Sequence, residues 1–240
     1  MVEASVRTGA GNVPGMRIET LDHVALWVED RDALAEFLTT HVGMHVIDQT
    51  ERFTLVGSDA RRGKLTLFAA EGAREPGALV RVVLRVEDLT AALAKLPPDL
   101  ATERRDGAVT FLGPERLGLG LVERAGVDYD IDHVVFRVSD PRQTFGQFAE
   151  LGFETDGDRL KAGDALLALE PGDPGQPEHP LLNHLGLRVE SVEAHIAEAE
   201  RRGIEIADIV DAPNTYAVFV WGPDRIKLEY VEHKPSFSLV

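Results

Sequence analysis

Two histidines and two glutamates, His133, His184, Glu170 and Glu229, stand at corresponding places in repeated segments of this 240-residue chain. Together they offer the nitrogen and oxygen donors of a mononuclear divalent metal site. The chain has no cysteine, so thiolate ligation, thiolate catalysis and disulfides are excluded, and any metal must rest on N and O donors. His133, His184 and Glu229 are the expected heart of the site. Glu170 is expected as a fourth ligand or a proton shuttle, which makes Glu170 and Glu229 the candidate catalytic carboxylates. The cofactor expected is one divalent ion, whether Fe, Mn, Ni, Zn or Co. Arg137 and Arg188 each lie four residues beyond a site histidine and are placed to grip a substrate carboxylate or phosphate. Tyr216 and Trp221 are candidates for walling the pocket.

The segments that must position these residues recur four times: LDHVALWVED (21–30), LVRVVLRVED (79–88), IDHVVFRVSD (131–140) and LLNHLGLRVE (181–190). Their residues His23, Arg81, His133 and His184 are separated by 58, 52 and 51 positions. Each segment alternates as a half-buried strand does, with Val24, Leu26 and Val28 or Val134, Phe136 and Val138 on one face and the histidines on the other. Acidic or Ser caps then start helices near 31–40, 89–96, 141–151 and 191–202, the last stopped by Gly203. Short strand-like runs parted by turn residues follow each helix, so the repeated unit reads βαβββ.

An α+β fold of four such units follows, with each helix on the apolar face of a curved sheet and the opposite face lining a cup. The turn GPER (113–116) matches GPDR (222–225), which suggests that units pair as neighbours. The expected division is a loose extension at 1–16, a metal-free domain at 17–126 and a metal-binding domain at 127–240. In the first half the positions matching the site read His23, Phe68, Arg81 and Gly120, a set that cannot hold a metal alone, so His23 is expected as a structural relic.

The net charge is −16. That opposes binding to nucleic-acid phosphates or anionic membranes and favours a small-molecule partner. No apolar run approaches the length of a membrane span and no hydrophobic leader is evident, so a cytoplasmic protein is expected, with a homodimer permitted.

The ordered motifs, DHV at the first strand of a unit and LEY (228–230) in the last, resemble the vicinal oxygen chelate superfamily, which includes glyoxalase I, methylmalonyl-CoA epimerase, bleomycin- and fosfomycin-resistance proteins and extradiol dioxygenases. The resemblance covers nearly the whole chain after residue 16. It implies a cup-shaped metal site and a small oxygen-chelating substrate. A carboxylate at position 170 is similar to the fourth ligand of glyoxalase I and the epimerase, which implies lyase or isomerase chemistry. The layout of a metal-free first domain and a His, His, Glu second domain resembles one-chain extradiol dioxygenases, which implies ring cleavage with Fe(II) as the alternative. A metal-free binding protein of the bleomycin-resistance type is the third reading. Some four-unit glyoxalases pair the first unit with the fourth, which would set His23 beside His184 and Glu229.

Overall fold

The computed structural model describes residues 16–126 and 128–239. The first unit comprises β1 (Thr20–Val28), α1 (Arg31–Phe37), β2 (His45–Gln49), β3 (Phe53–Gly57) and β4 (Lys64–Ala69). The second comprises β5 (Leu79–Val86), α2 (Leu89–Leu93), β6 (Thr102–Arg105), β7 (Ala108–Leu112) and β8 (Gly118–Glu123). The third comprises β9 (Ile131–Val138), α3 (Pro141–Glu150), β10 (Glu154–Asp156), β11 (Arg159–Ala162) and β12 (Ala165–Pro171). The fourth comprises β13 (Leu182–Arg188), α4 (Val192–Arg202), β14 (Ile206–Asp211), β15 (Thr215–Trp221) and β16 (Lys227–His233). All four are βαβββ, as the sequence periods require.

Each helix begins on the residue type that satisfies its free N–H groups. Asp30, Asp88, Asp140 and Ser191 accept hydrogen bonds from the backbone N–H of Ala33, Ala91, Arg142 with Gln143, and Ala194 respectively. Gly203, at φ 67°, closes α4 in the left-handed conformation. The helices cover the alternating apolar faces, so Val24, Leu26, Leu84, Val134, Phe136 and Leu185 are all completely buried. Met16 also joins this core, which corrects the extension expected over 1–16; residues 1–15 of it lie outside the described residues.

The strands form two eight-stranded mixed sheets, ordered β14-β15-β16-β13-β1-β4-β3-β2 and β10-β11-β12-β9-β5-β8-β7-β6. The first unit therefore shares a sheet with the fourth, and the second with the third. Pairing of neighbours is corrected on this point, and a division at 126/127 runs through the second sheet. At the seam of the first sheet β1 and β13 are antiparallel, with His23 opposite Gly186 and Ala25 opposite His184. The matched turns do join neighbouring units, but by capping rather than sheet pairing: the Glu115 carboxylate accepts the backbone N–H of Glu29 and Asp30, while Asp224 accepts the hydroxyls of Ser139 and Thr144.

Candidate metal centre

Three donors converge on the concave face of the first sheet: His23 from β1, His184 from β13 and Glu229 from β16. Among the described residues they form the group of His and carboxylate side chains able to hold an ion together. His23 Nε2 and His184 Nε2 approach to 2.8 Å. Glu229 Oε2 lies 3.0 Å from the first and 3.1 Å from the second. Donor atoms about 2.1 Å from an ion and at right angles, as on one face of an octahedron, are about 3.0 Å apart, so the triangle has the size that one shared ion demands. Glu229 Oε2 is buried with no aligned hydrogen bond, an acceptor that a shared cation would satisfy.

Both imidazoles are oriented from behind. Asp22 Oδ1 lies 2.7 Å from His23 Nδ1, and Asn183 Oδ1 lies 3.1 Å from His184 Nδ1. Each oxygen is placed to accept the Nδ1 proton, the tautomer in which a deprotonated Nε2 offers its lone pair to an ion in the cup. Asp22 is itself fixed by Lys64 Nζ at 2.6 Å and His233 Nε2 at 2.9 Å. Gly186 makes room: a Cβ there would fall 2.3 Å from His23 Cε1.

The charges are strongly coupled. Burial alone would lower the His23 imidazole, but the Glu229 and Asp22 carboxylates outweigh it and raise its pKa to about 9. Burial keeps His184 below its ordinary value against the pull of Glu229. Glu229 stays well below the carboxylate range because the two imidazoles overcome its desolvation. A permanently ionised carboxylate between two nitrogens is the donor set that a divalent ion replaces protons in.

The fourth corner of this face is Thr66. β1 pairs in parallel with β4, placing Thr66 beside Ala25, just as β13 places Glu229 beside Gly186. Thr66 is buried and brings no carboxylate. Aromatic rings complete the cup: Phe219 meets His184 edge-on at 5.1 Å, Phe68 lies 6.5 Å from His184, and Trp27 stands 5.3 Å from Phe68. A cavity of about 460 Å³ opens beside Asn183, lined by Trp27, Leu182, Trp221 and Lys227 and roofed by the loop from Gly175 to Pro180.

Of the residues expected from sequence, His184 and Glu229 meet, and Trp221 lines the adjoining cavity. His133 and Glu170 do not join them. Both belong to the second sheet, where His133 Nδ1 lies 2.8 Å from Asp132 and Glu170 is held by Arg81 at 2.9 Å and Arg105 at 3.3 Å. There Arg81 takes the place that His184 has in the first sheet, so among the described residues no second histidine faces His133 across the seam. Arg137 is on the second sheet and exposed. Arg188 is at the far end of β13, bound to Glu19 at 3.0 Å. Tyr216 packs against the helix-side core, because it is five residues from Trp221 and an alternating strand sends the two to opposite faces. His23, expected as a relic, is instead a member of the triad, and neither Thr66 nor Lys227 stood out from the sequence as a site residue. The signal for His23 was Gly186, since a strand-interior glycine marks the close approach of another group.

Comparison with known proteins bears on the fold. Residues 20–99 match the family described as the Glyoxalase/Bleomycin resistance protein/Dioxygenase superfamily. The match spans the first unit and the start of the second, 80 of the 240 residues, and the same βαβββ unit recurs through the rest of the described residues. A candidate dioxygenase from Bacillus subtilis subsp. subtilis str. 168 superposes with a TM-score of 0.76 at 17% identity, over 92% of this chain and 87% of the other. Glyoxalase I from Zea mays superposes with a TM-score of 0.71 at 16% identity, over 89% of this chain and 92% of the other. The cppA protein from Streptococcus pneumoniae TIGR4 gives 0.62 at 14% identity, over 90% and 100%. No curated protein matches the sequence. Identities this low establish the shared fold and leave the reaction to the chemistry of the site.

Proposed function

We propose that this chain is a divalent-metal-dependent enzyme that holds its ion through His23, His184 and Glu229 and takes a small substrate by two adjacent oxygens. Of the chemistries open to the superfamily, oxidative cleavage of a catechol-type ring with Fe(II) and O₂ fits best. The observation that carries this reading is Thr66 at the fourth corner: two imidazoles and one carboxylate form a facial triad with the remaining positions free of protein ligands. An ion held there would polarise both substrate oxygens and, as Fe(II), also receive O₂. Asp22 and Asn183 keep the two imidazoles aimed, Thr66 leaves space beside them, and Phe68, Phe219, Trp27 and Trp221 offer flat apolar walls to a planar ring.

Lyase or isomerase chemistry needs a carboxylate to move a proton at the substrate. Glu170, the residue expected in that role, is engaged by two arginines in the other sheet, which leaves this reading less support. A small molecule remains the proposed partner, and a cytoplasmic location and homodimeric assembly remain proposals with it; no helix among the described residues is long and apolar enough to cross a membrane. The test is anaerobic loading with Fe(II), Mn(II), Ni(II) or Zn(II), followed by catechol-dependent oxygen uptake and hemithioacetal isomerisation assays. Oxygen uptake by the Fe(II) form with a ring-cleavage chromophore is expected. Isomerisation without oxygen uptake would promote the lyase or isomerase reading, and tight ligand binding by a protein that takes up no metal would promote the bleomycin-resistance type.

A further inference from the structure

The cavity beside the triad carries two cations that the triad itself does not need. Lys227 is on β16, two residues before Glu229 and on the same face, hence about 7 Å along the strand from it. It is half-buried, with its ammonium 5.6 Å from the centre of the Trp221 ring and 5.7 Å from that of Phe219. The Arg225 guanidinium stacks on the same indole at 3.9 Å. Lys227 feels the charges of Asp208 and Glu229, yet neither it nor Arg225 forms an ion pair within 4.0 Å among the described residues. The acids that line the same cavity are Asp224 and Glu178, and the Asp224 carboxylate is engaged by the Ser139 and Thr144 hydroxyls.

In a chain with a net charge of −16, partners for two cations are plentiful, so a pair left without them at a cavity wall is informative. A half-buried ammonium with no carboxylate within direct ion-pair distance is incompletely compensated, and an Arg placed over an indole is preorganised for a planar anion. Resting on the reading of His23, His184 and Glu229 as the metal centre, we propose that the substrate is a carboxylate-bearing aromatic ortho-diol. Its two hydroxyl oxygens face the triad and its carboxylate is received by Lys227 and Arg225 against Trp221, which makes these two cations specificity-determining residues.

The chain's two tryptophans, Trp27 and Trp221, both line the cavity, so intrinsic fluorescence reports occupancy directly and without turnover. Quenching is titrated with 3,4-dihydroxybenzoate and with its methyl ester, on metal-loaded and metal-stripped protein, for the wild type, Lys227→Gln and Arg225→Gln. The wild type is expected to prefer the acid by about tenfold or more, the scale of a charge-assisted hydrogen bond. Either substitution should bring acid and ester to within about threefold of each other by weakening the acid alone, and 1 M salt should erode the preference in the wild type. Equal binding of acid and ester by the metal-loaded wild type overturns the carboxylate site while leaving the metal centre standing. Binding of both ligands that is indifferent to metal removal sinks the metal-centre reading instead. Should Lys227→Gln fail to fold, the exposed Arg225→Gln and the salt series decide the matter, and an acid preference that survives both overturns the proposal.

Discussion

His23 differs from His133 in what faces it, not in its own setting. Both follow an aspartate that bonds Nδ1, at 2.7 and 2.8 Å, and both sit on the first strand of a unit. Opposite His23 stands Gly186, and opposite His133 stands Val83; only the first opening lets the ring reach a second imidazole. The Asp-His motif was therefore legible at both positions, whereas the partner across the seam was not, and the ligand role went to His133 with His23 expected as a relic. Replacing His23 or His184 by Ala should each lower metal affinity by more than about 100-fold, given that loss of a supporting hydrogen bond alone costs about 10 to 100-fold. His133→Ala should keep one equivalent by elemental analysis, and metal loss in that variant with retention in His23→Ala would reverse the assignment. Gly186→Ala forces a Cβ to 2.3 Å from His23 Cε1. Overpacking of this kind costs about 1–3 kcal/mol, so a urea titration should show that loss together with reduced metal content; unchanged stability and metal would show that His23 does not lie against β13.

Strand alternation fixes which face a residue takes but not its level along the strand, and the misassigned fourth corner follows from that limit. Phe68 and Glu170 share the cup faces of β4 and β12, yet the parallel pairing sets Thr66 beside Ala25 and Ala168 beside Val135, two residues lower. Register in a parallel pair depends on the helix crossover between its strands, which no local pattern encodes. Helix starts were legible because Asp and Ser caps act within one turn. A carboxylate restored at the corner by Thr66→Glu should leave metal bound while cutting catechol-dependent oxygen uptake by about 10²-fold or more, because it fills a position the substrate needs; undiminished uptake would show that Thr66 does not border the centre. α4 offers a separate test. His195 is buried against Tyr230, with ring centroids 4.6 Å apart, and burial lowers its pKa below 6.5 in spite of its bond to the Ser191 carbonyl. The folded state thus holds this ring neutral while the unfolded chain protonates it more readily, so its contribution is complete above pH 6.5 and is lost as pH falls below that value. Thermal melts at pH 5 and pH 8 should differ less for His195→Gln than for the wild type, and equal differences would refute this source of acid sensitivity.

At the scale of the whole molecule, four near-equivalent apolar faces permit either neighbour pairing or outer-with-outer and inner-with-inner pairing, and hydrophobic patterning is satisfied by both. The observed choice draws β1 and β13, more than 150 residues apart, into one seam, while the connecting loops run together where Glu75 N–H donates to His179 O and Leu181 N–H to Glu75 O. Neighbouring units still touch through the matched turns at Glu115 and Asp224, which is why the resemblance of those turns pointed to real contacts of a different kind. The pairing carries a strong consequence for dissection of the chain. Fragments 17–126 and 127–240 would each hold half of both sheets, with β1 parted from β13 and β5 from β9, so each exposes apolar strand edges that the intact chain buries. Expressed alone, neither should bind an ion tightly, since His23 lies in the first and His184 with Glu229 in the second. Expressed together they should reassemble and recover one equivalent of metal. Stoichiometric metal on fragment 127–240 alone would show that its own two histidines, His133 and His184, can meet, and would overturn the seam between the first and fourth units.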